Sequence, residues 1–254
     1  MTRRPLLALL VLALGACLAG CAATTLPAVH SETERLSLAR RMMDQHRWAS
    51  AIELLKSYVE NNAGSAQVDQ ARYLLGMSYL RNRDWALAST EFELMIREYP
   101  ESDSTPSAAY QLGEALFAQA RPPDFDQEHT NQAINQWRTY LDTYPGHWLN
   151  PEAQRQLNLA RSRLATKLIG NGELYLSLHL HGPARVYFER VRDEYGDTLL
   201  LPRALLGLAM CDVLSGHRAE AVAQLKEIET RFPGRAEAAR AARERARLQR
   251  KHDS

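Results

Sequence analysis

Cysteine is scarce in this chain: Cys17, Cys21 and Cys211 are the only three in 254 residues. Two of them fall in the N-terminal segment, so Cys211 stands alone in the body and no internal disulfide framework can form. It sits among Leu208, Met210 and Val213, which reads as a small buried apolar residue rather than a reactive thiol. No alternating strand pattern of any length is present. Neither sign of charge is in excess: without Arg3 and Arg4 the chain has 29 Lys+Arg against 30 Asp+Glu. That balance argues against a nucleic-acid partner. G-x-S-x-G, H-E-x-x-H, Walker-loop and dinucleotide-binding signatures are all missing, so nothing points to an enzyme or a cofactor. Asp124, Asp126, Glu128 and His129 cluster in one loop, but their spacing lacks the Gly and closing Glu of an EF-hand. A solvated loop is the expectation there. His179 and His181 are two apart at a helix end, hence on different faces, and read as turn residues rather than metal ligands.

What the chain has is a register. Tyr99-Pro100 and Tyr144-Pro145 each close a stretch with an Ala twelve residues before the Pro and a bulky residue eight before it. The same cassette fits five times, with its Ala at Ala51, Ala88, Ala133, Ala184 and Ala221. The first and last steps are 37 residues and the second is 45. Periods in this range belong to stacked helical hairpins, which present concave binding surfaces. The clearest unit, Asp69 to Ser102, has Leu75-Gly76-x2-Tyr79, then Trp85, Ala88, Phe92 and Pro100, the tetratricopeptide pattern. Small Gly76 and Ala88 let two helices approach. Tyr79, Trp85 and Phe92 are expected to fill the space up to the next hairpin, and Pro100 stops the second helix.

Two departures from the period are informative. Gly113 to Ala133 is eight residues longer than Gly76 to Ala88, which places a loop at Ala120–His129, where Pro122 and Pro123 forbid helix. The fourth unit then starts 14 residues late, close to four helical turns. With Asn150 as a cap and Pro151 in the first turn, one long helix is predicted over Pro151 to Leu180. The fold class expected is all-α: a solenoid of about five tetratricopeptide-like hairpins, the long helix joining a front block of three to a back block of two.

The ends carry different signals. Arg3 and Arg4 precede an apolar run, Leu6 to Leu14, too short for a permanent membrane span. Leu18-Ala19-Gly20-Cys21 follows and resembles a bacterial lipobox, with Cys21 the expected site of lipidation. Leu14-Gly15-Ala16-Cys17 competes more weakly, and an ordinary signal peptide is the alternative. Ala22 after Cys21, where inner-membrane lipoproteins usually carry Asp, points to the outer membrane. The organisation expected is a signal peptide over 1–20, a lipidated tether over 21–31, front repeats over 32–150, the long helix and back repeats over 151–235, and a basic tail over 236–254. That tail has seven basic residues between Arg235 and Lys251 against Glu237 and Glu244. It reads as a solvated helix, or as a contact for an acidic partner or anionic lipid.

The first helices of the front hairpins should face the groove. Their inward positions include Leu36, Arg40 and Met43, then Tyr73, Met77, Leu80 and Arg81, then Tyr110, Glu114 and Phe117. Met and aromatic residues form an adaptable apolar floor, and Arg40 and Arg81 suit a peptide carboxylate. Ordinary packing, with the arginines paired locally, is the competing reading.

Lipobox, five repeats, inserted third loop, long helix and turn signals together resemble the BamD family of outer-membrane lipoproteins, over nearly the whole mature chain. The resemblance rests on Tyr99-Pro100-Glu101-Ser102, on Asp126-Gln127 with Ala133 and Tyr144-Pro145, and on Glu173 through Tyr195-Gly196-Asp197-Thr198. It implies a non-catalytic part of the machinery that inserts β-barrel proteins, held on the inner leaflet of the outer membrane by its lipid. It implies partners too: unfolded outer-membrane proteins at the front groove, the barrel-forming subunit at the back, and other assembly lipoproteins. The back surface would involve Arg185, Tyr187 and Arg190. There the chain departs from its relatives, with Tyr187 for a frequent Arg, His181 for an aromatic and Gly196 for a Pro. A secretin pilotin or a cell-wall enzyme scaffold or regulator is the alternative function.

Overall fold

The computed structural model describes residues 31–250. Among them there are eleven helices and no strand: α1 (Glu32–Asp44), α2 (Trp48–Asn61), α3 (Val68–Asn82), α4 (Trp85–Glu98), α5 (Thr105–Ala118), α6 (Glu128–Thr143), α7 (Asn150–Ser177), α8 (His181–Glu194), α9 (Leu201–Leu214), α10 (Arg218–Arg231) and α11 (Ala236–Arg250). Each helix packs chiefly on its neighbours in sequence, so the array grows in one direction. The expected solenoid is what forms. Ala51, Ala88, Ala133, Ala184 and Ala221 are each fully buried, as close-approach points of the second helices should be.

Hairpin geometry comes from glycine notches filled by aromatic rings. A Cβ on Gly76 would stand 2.6 Å from the Phe92 ring, and one on Gly113 would stand 2.3 Å from Trp137 Nε1. Phe92 therefore fills a notch within its own hairpin, and the buried cluster it belongs to continues into Ala108 and Leu112 of the next. Phe188 seats in two notches. A Cβ on Gly172 would come within 2.7 Å of its ring and one on Gly207, in the following hairpin, within 2.6 Å.

Four of the five hairpins turn through one left-handed residue: His46 (φ 57°), Arg83 (φ 68°), His179 (φ 60°) and Gly216 (φ 81°). Each turn repeats the same pair of backbone bonds. In the first, His46 N donates to Met43 O at 2.9 Å and Arg47 N to Met42 O at 2.8 Å. His179 also explains why the long helix stops at Ser177 rather than Leu180. Asn150 lies inside that helix as its first residue, and its Nδ2 donates back to Tyr144 O at 3.1 Å. Leu149, not Asn150, occupies the cap.

The third hairpin has the inserted loop instead of the tight turn. Its organiser is Gln127, buried to 5 % exposure. The Gln127 Nε2 group donates to the carbonyls of Pro122 (2.8 Å), Arg121 and Phe125 (3.2 Å each), while its Oε1 accepts from Thr130. Lys167 on α7 donates to Phe125 O at 2.7 Å, which fastens the loop to the long helix. Asp126 Oδ2 accepts from Glu128 N at 3.0 Å and so serves the start of α6.

The core runs as four successive clusters. Helix α7 belongs to two of them: Ala153, Leu157 and Ala160 join the second, Ala165 and Ile169 the third. The last cluster takes in α11, whose Ala241 and Leu248 are buried against α9 and α10. Arg245 adds a two-pronged pair with Glu229 on α10, at 2.7 and 2.9 Å. The stretch 236–250 is thus an integral capping helix, not a fully solvated tail.

Candidate functional site

The front floor assembles where α1, α3 and α5 stand side by side. Met43, Tyr73, Met77 and Leu80 are half-buried against the first core cluster, while Leu36 is buried within it. Arg40 and Arg81 are exposed. Tyr73 lies beside Phe92, ring centres 6.2 Å apart, and burial raises its hydroxyl pKa while Ser107 and the charge of Arg81 oppose the shift. Tyr110 is buried, and its hydroxyl donates to Glu114 Oε1 at 2.9 Å. Phe117 meets Trp137 edge-on at 5.7 Å and carries the Arg163 guanidinium over its face at 4.5 Å.

The structure therefore brings Tyr73, Arg81 and Glu114 into one neighbourhood. Arg40 and Met43 lie one hairpin away on α1. Tyr110 and Phe117 are largely packing residues, held by Tyr140, Trp137 and Arg163. Glu114 is the unexpected element. Burial raises its carboxyl pKa; the Tyr110 hydrogen bond and Arg81 pull the other way. A carboxylate beside Arg81 means that an incoming anion competes with a resident one.

The back candidates are more committed than their sequence suggests. Arg185 reaches the carboxylate of Asp212, a buried residue 27 positions on, which also accepts from Gln224 Nε2 at 2.8 Å. That arginine is a strut between α8 and α9. Tyr187 stacks on Tyr175 at 5.6 Å with the rings 15° apart, and Arg190 pairs with Glu194 along α8 at 3.0 and 3.1 Å. Tyr187 and Arg190 line an open cleft of about 340 Å³ that extends under the inserted loop to Gln127 and Lys167.

Cys211 is fully buried, and burial pushes its thiol up to about 11, which keeps it protonated and inert. Asp124, Asp126, Glu128 and His129 do not converge into a metal-sized group among the described residues. The expected lipidation site, Cys21, lies outside the described residues. Among those described, no helix is long and apolar enough to cross a membrane.

A solved tetratricopeptide repeat protein from Parabacteroides merdae is similar over 85 % of this chain and 71 % of its own, with 17 % identity and a TM-score of 0.38. Sequence relatives are more specific. The outer membrane protein assembly factor BamD of Caulobacter vibrioides is 24 % identical over 236 residues, 91 % of this chain and 77 % of that one. Its Vibrio cholerae namesake is 25 % identical over 172 residues, 64 % of this chain and 71 % of that one. The YfiO family, described as outer membrane lipoprotein, matches residues 30–212, which reach from the start of α1 into α9. On that match, which spans the front floor, the inserted loop, the long helix and the back cleft, this chain belongs to the YfiO family of outer membrane lipoproteins.

Proposed function

We propose that this protein is a non-catalytic assembly factor for outer-membrane proteins, lipid-anchored through Cys21 and facing the periplasm. The front hairpins receive an extended segment of an unfolded barrel protein. The back hairpins dock on the barrel-forming subunit and, with it, other assembly lipoproteins. The family match across residues 30–212 is the observation that carries this reading. The BamD relatives from two bacteria support it.

The front floor supports the client half of the reading. Half-buried Met43, Tyr73 and Met77 give an apolar surface, and exposed Arg81 beside it offers charge to a chain end. For docking, Tyr187 and Arg190 on the open cleft are better placed than Arg185, whose guanidinium is already engaged by Asp212. A mild-detergent pull-down of the full chain tests the assignment: a large barrel-forming membrane protein should co-purify. Tyr73→Ala with Arg81→Ala should weaken binding of a labelled barrel C-terminal peptide by about tenfold, a cost near 1.4 kcal/mol, and leave that co-purification intact. Unchanged peptide affinity would remove the groove from the mechanism.

A further inference from the structure

Beyond the front groove, a second polar recess opens where the two blocks meet. It lies between α6 and the end of α8, over the middle of α7, with a volume of about 480 Å³. Its walls carry Asn131, Asn135 and Arg138 on α6, Arg161 on α7, and Glu194 and Tyr195 beyond them. Asn131, Asn135 and Arg138 follow one another at helical spacings of four and three, so they share one face of α6.

The charges in this recess do not cancel. Arg190 is paired with Glu194. Arg161 is mostly buried; its Nη2 donates to Asp197 at 2.6 Å and to Glu194 O at 2.8 Å. Its Nε is buried with no hydrogen-bond partner. Arg138 is exposed and forms neither a hydrogen bond nor a salt bridge among the described residues. Arg138 and Arg161 line the recess together with Tyr195, and Arg190 lines the adjoining cleft with the same tyrosine, so three guanidinium groups neighbour one ring. Two resident carboxylates, Glu194 and Asp197, face these three cations. One cation and one buried donor are left over.

The surroundings identify the occupant. The side-chain amides of Asn131 and Asn135 make no hydrogen bond among the described residues, and each offers both a donor and an acceptor. A peptide backbone uses both; a phosphate has no use for the acceptors. Ile134 and Leu164 supply apolar contact between the polar groups. We infer that the recess between α6 and α8 binds an extended acidic polypeptide segment, with an Asp or Glu carboxylate held by Arg138 and Arg161 and the adjoining backbone by Asn131 and Asn135. The recess is lined by different residues from the front floor, and this inference does not depend on the client reading of that floor.

The test uses the full chain without its first 21 residues' lipid, purified in detergent-free buffer, and NMR of arginine side-chain Nε–H groups. The probe is a capped Gly/Ser peptide with a single central Glu; its Gln counterpart, its phosphoserine counterpart and phosphatidylglycerol vesicles are the comparison arms. The Glu peptide should shift the Arg138 and Arg161 signals together. Arg138→Gln and Asn135→Ala should each weaken the response about three- to tenfold, while Arg40→Gln leaves it unchanged. Arg138 and Asn135 are exposed, so neither change threatens folding, and an unchanged far-ultraviolet circular dichroism spectrum verifies that. No shift with the Glu peptide, an equal shift with the Gln peptide, or a larger response to phosphoserine or vesicles overturns the inference.

Discussion

Gly207→Ala is the sharpest probe of how the hairpins lock together. The new Cβ would sit 2.6 Å from both Cε1 and Cζ of Phe188, about an ångström inside ordinary contact. The ring cannot retreat, because Gly172 flanks it at a distance where a Cβ would stand 2.7 Å away. Phe188 is fully buried, so no solvent-side rotamer is open to it. Overpacking of this kind costs about 3 kcal/mol at the upper end of its range. Alanine regains about 1 kcal/mol of helix propensity over glycine. The expected net loss is about 2 kcal/mol. Urea unfolding followed by circular dichroism measures it, and hydrogen exchange should localise it to α7, α8 and α9. Shrinking the ring should relieve the clash: in a double-mutant cycle, Phe188→Leu and Gly207→Ala should couple by about 1–2 kcal/mol. A neutral or stabilising Gly207→Ala, or strictly additive effects, would refute the view that this ring is clamped from two hairpins.

Other consequences are equally direct. His46→Gly, Arg83→Gly and His179→Gly should each raise stability by about 0.5–1 kcal/mol in urea melts, because all three hold left-handed φ values that glycine adopts without strain. Glu114 has a folded-state pKa raised chiefly by burial, so the native protein holds its proton more tightly than the unfolded chain does. Its contribution to stability is then fully present below the unfolded pKa and is lost as pH rises through the folded one. Glu114→Gln should abolish that decline and gain most at neutral pH, read from melting temperature against pH with the wild type alongside. Gln127→Ala should cost about 1–3 kcal/mol by leaving loop carbonyls without their donor. Faster amide exchange across 120–127 with an unchanged helix content is the expected signature.

The hairpin register was legible because its determinants are local and repeated. A small residue must sit wherever two helices touch, and Ala51, Ala88, Ala133, Ala184 and Ala221 show it by their spacing. The end of the long helix was not legible: a glycine marks such stops most visibly, and here His179 takes the left-handed position. Helix α11 is hard to tell from a solvated tail because its apolar stripe is narrow. Ala238, Ala241 and Leu248 are inconspicuous among arginines, yet they are the buried positions. At the sites, residue types were visible and partners were not. Nothing local ties Arg185 to Asp212, which meet only once neighbouring hairpins stack, or Arg161 to Asp197, which meet only once α7 and α8 fold against each other. The tie of inward-facing Glu114 to Tyr110 is an i,i+4 contact along α5, but its place beside Arg81 needs α3 and α5 set side by side.

Helix α7 is about 42 Å long at the usual rise per residue, and it anchors in two core clusters at once. In a linear array, loss of structure starts wherever a module has a neighbour on only one side. The outermost hairpins are therefore the first to open under heat or protease. The middle behaves as a keystone: neither half can melt inward past it without tearing a single continuous rod out of both, so the last structure to survive should be centred on residues 150–177.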